Sequence, residues 1–131
     1  MGLFKRKRKD DDEPVDLEER SPQLGLKWKD LLVLDAMTKQ GADLNRPREV
    51  GHYLYFGSRE PAEAAAREAA ARGWDVRVRE PLPEYPDQWC AHCTRDDAVL
   101  TPPFVRESTD YFDDLAARHG GDYDGWEAAA D

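Results

Sequence analysis

A chain of 131 residues carrying 19 basic and 28 acidic side chains, formal charge −9, has room for one domain and not for two comfortable ones. No apolar run approaches the roughly 20 residues of a spanning helix, and no apolar segment with a cleavage site follows the basic start. Membrane insertion and secretion are therefore not expected, two cysteines make no disulfide framework, and the expected compartment is the cytoplasm.

Charge is unevenly spread. Lys5-Arg6-Lys7-Arg8-Lys9 is followed at once by Asp10-Asp11-Asp12-Glu13; without residues 1–9, 14 basic side chains face 28 acidic ones, a formal charge of −14. Such a domain is repelled by bare phosphate and drawn to basic partners. The head, residues 1–25, alternates blocks of like charge with Pro14 and Pro22 and is expected to stay solvated. Gly2 makes no myristoylation signal, because Arg6 stands where Ser or Thr is needed.

Residues 28–40 read as a helix. Trp28, Leu32, Ala36 and Met37 share one side, Leu31 and Leu34 widen it, and Gly41 suits the left-handed stop. With its linker this helix fills 26–45. Residues 50–56 read as a strand, Val50, His52, Leu54 and Phe56 on one face and Tyr53 and Tyr55 on the other.

Ser58 and Pro61 open a second helix, although proline at the third helical position removes an N–H that a serine cap would use. Ala62, Ala65, Ala66 and Ala69 form its smooth stripe, Glu63 with Arg67 and Glu68 with Arg72 are i,i+4 pairs, and Gly73 ends it. Trp74, Val76 and Val78 then alternate with Asp75, Arg77 and Arg79, the pattern of a half-buried strand. After Pro81, Pro83 and Pro86, residues 89–94 read as a third strand. Thr101 caps a helix with Pro102 at its first position, and Phe104, Ser108, Phe112, Leu115 and His119 mark one side of it. Gly120-Gly121 stops that helix before a last short strand, in which a glycine marks a bulge or a close approach of another backbone.

A helix followed by β-α-β-β-α-β is an α+β arrangement of the ferredoxin-like, split β-α-β kind, here residues 46–129. It calls for a four-stranded antiparallel sheet in the order 4-1-3-2 with two helices on one face. Alternation puts Val76 and Val78 on the helix side and Arg77 and Arg79 on the open side; by analogy Tyr53 and Tyr55 share the open side, the inverted parity being the alternative.

No constellation points to catalysis. Trp89-Cys90-Ala91-His92-Cys93 resembles a thiol redox motif, but the next helix start, Thr101-Pro102, is too far downstream to activate Cys90. In an extended strand Cys90 and Cys93 face opposite ways with Cα atoms about 10 Å apart, beyond the ~7 Å a disulfide tolerates. Zinc would need further ligands at ligand spacing, which His52 and His119 do not supply. No nucleophile elbow or phosphate-binding glycine loop is present, so no enzyme, cofactor or metal is expected.

The end of the chain carries the strongest signal: Gly120 and Gly121 at a helix end, then Tyr123-Asp124-Gly125-Trp126. This run resembles the signature of the regulator of ribonuclease activity B family. Leu31 to Gly41 resembles that family's leading helix, residues 50–54 its first strand and residues 62–76 its helix and second strand, so the likeness covers roughly residues 28–128. The resemblance implies a small bacterial, non-enzymatic protein that binds and inhibits ribonuclease E. The acidic surface would attract a basic segment of that enzyme, and candidate contact residues are Tyr53, Tyr55, Asp122, Tyr123, Asp124, Gly125 and Trp126. The bland alternative for the last motif is a closing strand whose aromatics enter the core. As it stands the sequence stops at Asp131, without the long acidic extension of well-known members, and carries the charged head instead. RNA stacked on open-face aromatics is the competing reading, opposed by the negative charge and by the missing basic-aromatic motif of RNA-recognition modules.

Overall fold

The computed structural model describes residues 16–130, so the basic and acidic runs of the head lie outside the described residues. The chain divides into two compact units, one ending at Asp35 and the other running from Ala36 onward. In the first, residues 16–25, grouped with the head on sequence grounds, form turns tied to residues 26–29. Arg20 bridges Lys27, and Ser21 N–H donates to the Leu26 carbonyl at 2.7 Å. Lys27 pairs with Glu18 at 2.9 Å, and Leu26 is fully buried.

Helix α1 spans Trp28–Lys39. Its buried positions are Asp30 and Leu34, while Leu32 is 57% exposed and Ala36 is exposed. The sequence placed the inward side on Leu32 and Ala36. Leucines at 31, 32 and 34 spread apolar surface around the helix, leaving its periodicity little to choose between.

The second unit holds β1 (Arg48–Phe56), α2 (Arg59–Ala71), β2 (Asp75–Arg79), β3 (Trp89–Ala98), α3 (Pro102–Arg118) and β4 (Asp122–Ala128). All ladders are antiparallel and the strand order is β2-β3-β1-β4, the expected 4-1-3-2. Strand β3 runs four residues past the expected Thr94. Charged Arg95, Asp96 and Asp97 hide its end, and a bulge there sets Arg48 opposite Ala98 and Val50 opposite Arg95.

The core lies between one sheet face and helices α2 and α3. Val50, Leu54, Phe56, Ala91 and Cys93 meet Ala62, Ala65 and Ala69 from α2 and Phe112, Leu115 and Ala116 from α3. Val76 and Val78 pack on the same core, which settles the parity of the sheet as expected. The alanine stripe is what allows α2 to approach so closely.

Caps follow local chemistry. Ser58 has extended cap geometry but makes no side-chain cap bond, consistent with Pro61 taking one N–H away. Thr101 does cap α3, its hydroxyl accepting from Phe104 N–H at 3.2 Å, with proline in the first turn. Each helix ends in the same way: Gly41, Gly73 and Gly120 take φ of +89°, +94° and +75°, and the following residue donates back across the last turn. The anticipated helical ion pairs are replaced. Glu63 lies 3.7 Å from Arg59, and Glu68 binds Arg118 at 3.0 Å and also His119, joining α2 to α3. Arg72 instead lies over the Tyr111 ring, 4.5 Å from its centroid.

Candidate functional site

The last strand is built around a bulge. Tyr53 opposes Gly125 and Leu54 opposes Tyr123, so Asp124 is the extra residue, and Gly125 supplies φ of +108°. Tyr123 and Trp126 are three residues apart and would face opposite ways in a regular strand. The bulge turns both toward the helices, where each is half-buried against the core. The closing-strand role of these aromatics is therefore seen directly.

Tyr123 also serves a buried histidine. Its hydroxyl lies 2.8 Å from Nδ1 of His52, which stacks on Phe112 at 4.4 Å and stands edge-on to Trp74 at 5.2 Å. Burial pushes His52 down to about 3, so its ring is neutral at physiological pH.

The opposite sheet face is ordered in rows set by register. Arg79, Cys90, Tyr55 and Asp122 lie side by side across the four strands; next come Arg77, His92, Tyr53 and Gly125; then Asp75, Thr94, Gly51 and Glu127. Glu49 lies beyond Gly51 on the same face of β1. Tyr53 and Tyr55 thus come together with Asp122 and Gly125, while Tyr123 and Trp126 are on the other side of the sheet.

The middle row is held tightly. Tyr53 and His92 stack with centroids 4.3 Å apart and planes 11° from parallel. The Tyr53 hydroxyl donates to Glu127 at 2.6 Å, and this bond is the main reason its own pKa rises to about 12. Arg79 donates to His92 Nδ1 at 3.1 Å, which leaves the ring proton on Nε2. Burial, then the Arg79 charge, lowers the His92 pKa and keeps the ring neutral. The ring leans across Gly51, where a Cβ would lie 2.8 Å from Nε2.

His92, Gly51, Glu49 and Glu127 are the residues that sequence reasoning did not assign to this face. Their signal is present in the alternation His92–Thr94 and Gly51–Tyr53, but His92 reads as part of the Cys-x-x-Cys motif. The cysteines themselves are separated by the sheet. Cys90 stands opposite Tyr55 and Arg79 on the open side, and Cys93 opposite His52 and Val76 in the core. Burial raises both thiols, Cys93 to about 12. Among the described residues no three His, Cys, Asp or Glu side chains group closely enough to hold a metal ion, and no helix is long and apolar enough to cross a membrane.

Residues 29–128 match the model of a family described as regulator of ribonuclease activity B. The chain belongs to that family. No curated protein matches it. The match spans every element from α1 to the final strand, so the Tyr-Asp-Gly-Trp bulge lies inside it. The description is that of a regulator of a ribonuclease activity.

Proposed function

We propose that this protein binds and inhibits an endoribonuclease of the ribonuclease E type in the bacterial cytoplasm, and so slows RNA decay without chemistry of its own. The observation that carries this reading is the family match over residues 29–128. The strongly acidic domain supports it, since charge of one sign steers association with a basic segment. Tyr53, Tyr55, Asp122, Asp124 and Gly125 are the contacts proposed at the open face and outer edge; Tyr123 and Trp126 act by holding that strand in place.

Purified protein titrated into a ribonuclease E cleavage assay tests this, alongside association rates at low and high salt. Inhibition with an association rate that falls as salt rises is the expected result. Full cleavage at saturating protein overturns the reading, and a salt-independent rate overturns its electrostatic part.

A second reading has one observation in its favour: Tyr53, His92, Arg77 and Arg79 are neighbours, a composition that stacks and pairs with bases in single-stranded RNA. Retention of labelled RNA at moderate salt would favour it. The adaptor reading expects none.

A further inference from the structure

The open face is divided by charge. One end carries Arg77 and Arg79 on β2 with Asp122 across the sheet on β4; the other is lined by Glu49, Asp75, Asp96, Asp97 and Glu127, all exposed. Two clefts of about 300 and 390 Å³ lie at this acidic end and share Glu49 and Thr94. The cation among their lining residues, Arg95, donates to the Arg72 carbonyl at 3.2 Å and lies over Trp74, 4.4 Å from the ring centroid.

Three further features shape this end. In the row Asp75-Thr94-Gly51-Glu127 the His92 ring covers Gly51, so Thr94 and the imidazole edge make the floor between two carboxylates. The stacked Tyr53–His92 rings stand beside it, with the Arg79 guanidinium on the Nδ1 side of the imidazole and Arg77 opposite His92 on β2. His92 Nε2, which carries the ring proton, is buried against Gly51 and has no hydrogen-bond partner among the described residues.

We infer that this row is a docking groove for an extended, arginine-bearing peptide segment of the partner, laid across the strands with one guanidinium between Glu49 and Glu127 beside the Tyr53–His92 rings and another toward Asp75. Charge complementarity selects a cationic occupant. The paired carboxylates select arginine over lysine, because a planar guanidinium binds them in a fork and an ammonium does not. Spacing adds a length rule: three inter-strand steps separate the ends of the row, about 14 Å, which matches residues i and i+4 of an extended chain at about 13 Å. The inference rests on the partner reading above and specifies where and by what chemistry the basic segment is held.

The test uses the full chain and a capped peptide with arginines four residues apart in a glycine-serine background, with matched lysine and citrulline peptides. The arginine peptide is expected to bind at least 5-fold more tightly than the lysine peptide and far more tightly than the citrulline one. The variant Glu49→Gln/Glu127→Gln should lose at least 10-fold in affinity, while Glu60→Gln/Glu63→Gln on α2, with the same loss of charge, should change less than 2-fold. Equal losses in the two variants would show diffuse attraction and overturn the groove, as would equal binding of arginine and lysine peptides. Tight binding that appears only when residues Lys5, Arg6, Lys7, Arg8 and Lys9 are all changed to Gln would give the groove to the chain's own head and overturn its assignment to a partner. The cleavage assay separates the two proposals. If wild type and Glu49→Gln/Glu127→Gln inhibit equally, the groove falls and the regulator stands; if wild type does not inhibit but the peptides behave as expected, the regulator falls and the groove stands.

Discussion

The Tyr123 hydroxyl and Nδ1 of His52, 2.8 Å apart, join the last strand to the first beneath the helices. His52 is 1% exposed, so no solvent replaces this partner when it is lost. Tyr123→Phe keeps the ring and removes one hydrogen bond, stranding the buried Nδ1 at a cost of about 1–3 kcal/mol. Urea denaturation of the two proteins at pH 7.5 checks it, with an unchanged m-value confirming that only stability moved.

The same histidine sets an acid limit. Its native pKa is about 3 against an ordinary value of 6.5, so as pH falls the unfolded chain takes up a proton that the folded chain refuses. Stability is complete above pH 6.5 and declines from there toward 3, by about 2 kcal/mol between pH 7.5 and 5. His92, lowered too, adds in the same direction. His52→Gln should be less stable at pH 7.5 yet show a flatter decline. Denaturation midpoints across this range give the comparison, and equal slopes in the two proteins would remove His52 from the account.

Most of the fold was legible because each element carries its own punctuation. Glycines end the helices, Thr101-Pro102 starts one, and the alternation of Val76 and Val78 with arginines fixes a strand and its faces. What escaped was decided by contacts between distant residues. The end of β3 is charged and reads as loop, yet Arg48 pairs opposite Ala98 and holds the Ala129 carbonyl at 2.9 Å. Glu68 was matched to Arg72 by helical spacing, but α3 brings Arg118 and His119 to it. In the final motif the glycine reads as a bulge or a close backbone approach, and the register makes it a bulge; its effect, turning Tyr123 and Trp126 to one side, depends on the pairing with Tyr53 and Leu54.

Two glycines near that motif should respond differently to alanine. At Gly125 a Cβ meets nothing within 4 Å, so Gly125→Ala costs only the strain of φ at +108°, about 1–3 kcal/mol. At Gly121 a Cβ would press into the Tyr55 carbonyl oxygen and the Phe56 ring, and backbone cannot swing aside. Gly121→Ala is therefore expected to be the more damaging. Thermal melts of the pair rank them, and the reverse order would contradict the packing at β1.

The thiols are expected to be inert in the native protein. Cys93 is 1% exposed and Cys90 7%, both raised by burial, and the sheet stands between them. Ellman's reagent should titrate two thiols in denaturant, and should react on the order of 100-fold more slowly without it, through local opening. Rapid native reaction, or a reversible intramolecular disulfide, would reopen the redox question.

Trp126 decides whether the last motif is held for packing or also displayed. It opposes His52 on the helix side and is half-buried, so truncation loses part of an aromatic's burial and leaves a shallow gap. Trp126→Ala should cost about 2 kcal/mol, below the ~3–5 kcal/mol of a fully buried aromatic. Because the side chain lies across the sheet from Tyr53 and Tyr55, the proposed inhibition of a ribonuclease should survive wherever the variant remains folded. Stability by denaturation and inhibition well below the melting temperature, measured on one preparation, separate the two roles. A variant that stays folded and loses inhibition would move the contact surface to the helix-side edge of β4. One unchanged in both respects would deny the tryptophan either role.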